Sequence, residues 1–158
     1  NTKLGNNSVD VIFAGQAFHW FDKPKCKIEF SRILKRGGHV LLAWNDRKNG
    51  VPFLDAYEAL LQEHGTDYNE VNNRNTEAAG FENFFSAGSF KKQVFDNPSD
   101  FDYKSLEGRL LSCSYIPERN APGFQPMMDD LKRIYDTYQV NGKVPFGYDT
   151  RLYYGKLD

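Results

Sequence analysis

The chain has 158 residues, a net charge of −1 and 40% hydrophobic residues, which suits one domain of ordinary size with a real core. Its 20 Lys and Arg are scattered rather than gathered on a stripe, which argues against nucleic-acid binding. No stretch is long and apolar enough to span a membrane, and the first residues do not read as a signal peptide.

The first element is the apolar run Val9, Val11, Ile12 and Phe13, broken by Asp10, as in a parallel strand covered on both faces. A polar and aromatic loop, GQAFHWFD, leads from it to a helix starting near Pro24, a favoured first-turn residue. Cys26, Phe30, Ile33 and Leu34 form that helix's buried face. Lys35 and Arg36 suit its C-terminus, and Gly37-Gly38 suits a left-handed cap. HVLLAW (39–44) is a second continuous apolar strand, which completes a strand–helix–strand unit. In open α/β sheets, ligands bind beyond the carboxyl ends of such strands.

Phe53, Tyr57, Leu60, Leu61 and His64 repeat at helical spacing, and Gly65 stops that helix. Residues 66–76 read as a polar connection, and 77–90 as a short helical turn leading to an edge strand that continues through Lys92 to Asn97. Ser99 is placed to cap a helix, with Asp102 three residues on, and Leu106, Leu110 and Cys113 form its stripe. Met127, Leu131, Ile134, Tyr135 and Tyr138 line a further helix. In the closing strand Phe146, Tyr148, Thr150, Leu152 and Tyr154 share one face.

The first strand has nothing before it to cover its outer edge, and an exposed apolar edge is a hazard. Two explanations follow: a longer parent protein whose earlier part covers it, or a homodimer through Val9 to Phe13. Asn1-Thr2-Lys3, with no initiator Met, favours the first. Cys26 and Cys113, the only two cysteines, read as buried free thiols in a reducing, cytoplasmic setting. His19, His39 and His64 lack metal-ligand spacing, so no metal site is expected.

Asn7, Ser8 and Asp10 before and within the first strand, Ala17, His19, Trp20 and Phe21 in the loop, and Arg32, Leu34, Lys35, Gly37 and Gly38 before the next strand form a joint pattern. It resembles the class I S-adenosylmethionine-dependent methyltransferases, and more narrowly their small-molecule, trans-aconitate methyltransferase-like branch. SCSYIP (112–117) and PFGYDTRLYYGKL (145–157) resemble a lid helix exit and the final strand of the same branch. The resemblance implies an α/β fold: the C-terminal part of a Rossmann-like sheet, strands four to seven with the last antiparallel, plus flanking and lid helices. It lacks the family's glycine-rich loop, ribose-binding acid and adenine-side acidic loop. Residues 1–158 are therefore expected to be a single partial domain, inactive alone.

That resemblance places Gln16, Ala17, Phe18 and Trp20 beside S-adenosylmethionine in an intact protein. It places His19, Trp44, Asn45, Arg109, Ser114 and Tyr115 around a small organic acceptor, with a carboxylate or other oxygen as the methylated atom. His19 has the right intrinsic acidity, about 6.5, to serve as a general base. Methyl transfer is chiefly a matter of positioning, so the alternative is a pocket-lining or hydrogen-bonding role. The aromatic pair Trp20 and Phe21 suits a sulfonium or plain packing. Arg109 with nearby hydroxyls suits an acidic substrate or surface capping. The rival readings are a nicotinamide-dependent Rossmann-like enzyme and a non-catalytic fragment or interaction module.

Overall fold

The computed structural model describes residues 2–69, 84–86 and 88–157. They divide into two compact units, the first built from 2–46, 84–86, 88–95 and 149–157, the second from 47–69 and 96–148.

The first unit is organised by a four-stranded sheet. Its strands are β1 (Val9–Gly15), β2 (Leu34–Arg47), β3 (Lys91–Asn97) and β6 (Tyr148–Gly155), in the order β1-β2-β6-β3. β1 and β2 pair in parallel, from Val11 opposite His39 to Gly15 opposite Ala43; the remaining pairing is mostly antiparallel. The last strand in sequence is thus inserted between β2 and the edge strand β3. Counted as strands four to seven, the order reads four-five-seven-six, which is the expected C-terminal part of the Rossmann-like sheet.

Helix α1 (Lys23–Ile33) crosses from β1 to β2. Asp22 caps it, its carboxylate accepting the Lys25 amide at 3.1 Å, and Pro24 sits in the first turn. Phe30 and Ile33 are buried, as the stripe predicts. The expected end of this helix is corrected. It stops at Ile33, Leu34 is already extended, and Lys35 to Gly38 belong to β2. The glycine pair serves a bulge instead of a helix cap: the register passes from Val9–Leu34 to Val11–His39, so β2 spends five residues where β1 spends two. Gly37 supplies the left-handed residue there, φ 78°. A Cβ on Gly38 would meet the Lys35 and Asp10 carbonyl oxygens at 2.9 and 3.0 Å.

β1 also departs from the expectation of burial on both faces. Only Ala14 is buried, while Val11 is 52% and Phe13 64% exposed, on an edge strand. The core lies under the other face: Phe18, Phe30, Leu34, Val40, Leu42, Trp44, Phe84, Phe85 and Tyr153 form one aromatic-rich cluster. In the last strand Tyr153 and Gly155 are buried, on the face opposite to the one that Leu152 and Tyr154 were expected to share. The chain pauses at Phe146-Gly147, and the phase of the alternation changes across that break.

The second unit is helical. α2 (Pro52–His64) and α4 (Phe124–Tyr138) carry the predicted stripes, with Phe53, Tyr57, Leu60, Leu61, Met127, Leu131 and Ile134 buried. α3 (Tyr103–Leu111) buries Leu106 and Leu110, but its cap is Asp102, whose carboxylate accepts the Ser105 amide at 2.8 Å. Ser99 is displaced from that role because Asp100–Phe101 form a short strand, β4, antiparallel to β5 (Val144–Pro145). Phe146 is buried in this unit's core, its ring 5.1 Å from Tyr57 and 4.7 Å from Phe101. Of the expected polar connection at 66–76 and the turn at 77–90, residues 70–83 and 87 lie outside the described residues.

Candidate active site

Two parallel strands end side by side in the first unit, and the chain leaves β1 by a sharp turn. The Gln16 amide donates to the Ala43 carbonyl at 2.9 Å, which continues the ladder by one residue. Gln16 itself is left-handed, φ 53°, a conformation non-glycine residues seldom adopt and one often found at functional sites. The turn keeps its side chain exposed, with Nε2 at a long 3.5 Å from the Asn45 carbonyl. Ala17 then opens a single 3-10 turn over Phe18–Trp20.

That turn sends three successive aromatic side chains in different directions. Phe18 is fully buried, with edge-on contacts to Phe21, Trp44 and Phe84 at 5.8, 6.5 and 4.6 Å. It anchors the loop to the core. Trp20 is 64% exposed. His19 is half-buried, its ring 4.8 Å from the Trp20 ring. Its Nδ1 is fully buried and has no hydrogen-bond partner among the described residues. Burial holds the His19 imidazole below its ordinary value of about 6.5, because the charged form is the one desolvation penalises. The ring is therefore neutral near pH 7, with one nitrogen available to accept a proton or a hydrogen bond.

From β2, Trp44 is buried against Phe18 and Tyr153, and Asn45 follows, exposed. The Asn45 Oδ1 accepts from the Thr150 hydroxyl at 2.6 Å, and Asp46 pairs with Arg151 at 2.9 Å. The last strand thus fixes the tip of β2. Thr150 was missed in the sequence, because only the insertion of the last strand beside β2 brings it there. The first unit therefore assembles Gln16, Ala17, Phe18, His19, Trp20, Trp44 and Asn45 on one rim.

Arg109, Ser114 and Tyr115 belong to the second unit. Arg109 donates from Nε to the Tyr148 hydroxyl at 3.3 Å and from Nη1 to Ser112 Oγ and Cys113 Sγ, both at 3.2 Å. Ser112 is thus the hydroxyl that reaches the guanidinium; Ser114 is exposed. Tyr115 packs its ring 5.0 Å from Tyr68, and its phenol is pushed up by burial and a hydrogen bond with Cys113. A second arginine, Arg47, was not anticipated. It pairs with Glu58, donates to the Tyr68 hydroxyl at 2.6 Å and lies 5.6 Å from the Tyr57 ring centre. Nothing in the spacing of residues 47, 58 and 68 announces this network.

Glu63, His64 and Asp130 offer ligand atoms within 4.8 Å of one another. However, Asp130 is already engaged by His64 at 2.9 Å and by Arg133 at 2.7 Å. The cluster thus has its own cation, and a surface ion-pair network accounts for it.

The inserted last strand, the parallel strand–helix–strand unit and the aromatic rim together define a Rossmann-like methyltransferase architecture. The family described as "Methyltransferase domain" matches residues 1–42. An uncharacterized methyltransferase of Schizosaccharomyces pombe is 40% identical over 154 residues, covering 95% of this chain and 60% of the relative. One from Mycobacterium bovis is 43% identical over 44 residues, 28% of this chain and 18% of that protein. Among solved structures, a provisionally assigned type II methyltransferase from Anaeromyxobacter dehalogenans superposes with a TM-score of 0.67. It has 16% identity and covers 98% of this chain and 67% of that one, which speaks for the fold. These likenesses support a class I methyltransferase, and the chain spans about three fifths of the length of its S. pombe relative.

Proposed function

We propose that the protein to which this chain belongs transfers a methyl group from S-adenosylmethionine to an oxygen, a carboxylate foremost, of a small organic acceptor. The chain would supply one wall of that site. The narrower likeness to the trans-aconitate methyltransferase-like proteins, carried by the His19-Trp20-Phe21 loop and the Leu34 to Gly38 turn, supports the choice of acceptor. When bound, the cofactor supplies a methyl carbon on a positive sulfur, which the acceptor oxygen attacks in line as the carbon–sulfur bond breaks.

The observation that carries this reading is the rim at the ends of β1 and β2. Its residues fit the cofactor: Trp20 offers an exposed ring face to a cation, and left-handed Gln16 leaves its amide at the strand end. The buried Nδ1 of His19, without a partner among the described residues, is the kind of atom that calls for a further partner. A carboxylate acceptor is already ionised and needs no base, so the neutral His19 ring orients it by donating an Nδ1–H to a carboxylate oxygen. Phe18 and Trp44 keep the rim rigid and dry beneath. The two free thiols, Cys26 and Cys113, support a cytoplasmic setting, and among the described residues no helix is long and apolar enough to cross a membrane.

Calorimetry with S-adenosylmethionine tests the reading on this chain and on a longer form of the length of the S. pombe relative. Binding by the longer form alone supports it, and binding by neither sinks it. Tight binding by this chain alone shows that the cofactor site lies elsewhere. The exposed Val11 and Phe13 on the β1 edge favour a second reading beside the first, that this chain alone pairs as a homodimer through β1. Sedimentation of the chain and of its V11K/F13K variant decides it: a dimer converted to monomer supports pairing, and a monomer in both cases refutes it.

A further inference from the structure

The four-stranded sheet ends in β1 on one side and in β3 on the other. β3 (Lys91–Asn97) is exposed at all seven positions, with Val94 51% and Phe95 45% exposed. Among the described residues no strand lies on its outer side. An edge that carries apolar side chains beside unpaired N–H and C=O groups is a template for another strand. Its limits are fixed. A turn precedes it, the Ser89 amide donating to the Ser86 carbonyl at 3.0 Å with left-handed Gly88 between them. Pro98, which has no N–H to donate, follows Asn97.

Two copies that pair antiparallel through this edge must match residues of like parity. Directly opposite residues either both turn their backbone groups toward the partner or both turn them away. The two-fold axis therefore passes through a residue, and only with the axis at Val94 are all seven residues opposed. That register sets Val94 on Val94, Gln93 on Phe95, Lys91 on Asn97 and Lys92 on Asp96, the last pair twice by symmetry. Opposite charges directly across a ladder attract, and like charges repel. With the axis at Gln93 or Phe95 neither lysine faces a carboxylate, and with the axis at Lys92 that lysine faces its own copy. Parallel in-register pairing sets both lysines on their own copies.

The side chains fit the Val94 register. Lys92 has no carboxylate partner among the described residues; its ammonium lies 5.6 Å from the Tyr153 ring centre. Asp96 meets Lys48 through Oδ1, and its side chain stays mostly exposed. A carboxylate has acceptor capacity for a second cation.

We propose that β3 pairs with β3 of a second copy, antiparallel about Val94, and that Lys92 and Asp96 select this register. The sheet then continues across the two-fold axis, and the self-complementary contact closes at a dimer. A single strand edge is a small interface, so the dimer is weak and depends on concentration. Nothing in this pairing depends on the function proposed above.

The test is sedimentation equilibrium in low salt on the full chain carrying V11K/F13K, which removes pairing through β1. A dimer is expected to persist there. K92D sets carboxylates against each other and D96K sets ammonium groups against each other, so each should weaken the dimer about tenfold or more. An equimolar mixture of the K92D and D96K chains restores both pairs and should form a one-to-one heterodimer, which a fold defect in either variant would not produce. V94K, which leaves the Lys48–Asp96 pair intact, places like charges on the axis and should also yield monomer. Absence of a dimer at millimolar loading, K92D or V94K chains that dimerise as tightly as their parent, or a mixture of folded K92D and D96K chains that stays monomeric each overturns the proposal.

Discussion

The strand-end rim of the first unit and the arginine–tyrosine region of the second reach polar chemistry by different routes. The rim is placed by backbone: a parallel register, one left-handed residue and one 3-10 turn put Gln16 to Trp20 beside Trp44 and Asn45, with a single buried ring, Phe18, as anchor. The second region is placed by side chains from residues far apart in sequence, and its stability depends on how completely each charge is answered. A rim set by backbone should collapse when its anchor or its tight glycine is altered. A region set by side chains should respond charge by charge.

The largest effect is expected at the anchor. Phe18 is fully buried, so Phe18→Ala should cost about 3–5 kcal/mol. Trp20→Ala, at a mostly exposed ring two residues on, should stay within about 0.5 kcal/mol and act on cofactor binding alone. Both tryptophans, Trp20 and Trp44, lie in the first unit, so denaturation followed by their fluorescence reads that unit, with Trp44 as reporter in W20A. Equal costs for the two variants would mean that the rim is not hung on Phe18.

The glycine pair gives the next contrast. Gly38→Ala drives a Cβ against two backbone oxygens that cannot rotate away, at about 1–3 kcal/mol, as overpacking costs elsewhere. Gly37→Ala meets open space and bears only the left-handed conformation, about 1 kcal/mol. If Gly37 proved the costlier, the turn would be acting as the helix cap that the sequence suggested and not as a bulge.

These positions also show what was legible beforehand. The strand–helix–strand unit, the α2 and α4 stripes and the rim residues could be read because local periodicity and strand ends fix them. The Gly37-Gly38 signal was seen but misassigned: a glycine pair after a helix reads the same whether it caps that helix or bulges the next strand, and only pairing with β1 decides. The exposed faces of Val11 and Phe13 were hidden because burial depends on what covers a strand. The bond from Thr150 to Asn45 and the Arg47–Glu58–Tyr68 network were invisible because their partners are joined only by tertiary contact.

In the second unit, Glu58→Gln leaves the shape of the Arg47 network but removes its negative charge. The pair is partly open to solvent, so the cost should be about 1–2 kcal/mol, in the range of a hydrogen bond to a charged group. Thermal denaturation in low and high salt checks it, since the wild-type advantage should shrink as salt rises. Arg109 has only neutral partners among the described residues, at 3.2 to 3.3 Å, so R109Q gives up long hydrogen bonds and relieves a partly buried charge; a loss of stability as large as that of E58Q would contradict the distinction between an arginine with a counter-charge and one without.

The smallest effect belongs to His19, and its sign is set by burial. Desolvation lowers its folded-state pKa while the unfolded chain keeps the ordinary value near 6.5. Below that value the unfolded state binds the extra proton more readily, so the contribution of the neutral ring is fully present above about pH 6.5 and is lost as pH falls through the folded pKa. An NMR titration of the His19 ring should show a midpoint below 6.5, and His19→Gln should flatten that part of the stability profile. A midpoint at or above 6.5 would mean that the ring is not held neutral by burial, and the setting of a buried Nδ1 on a neutral ring would fall with it.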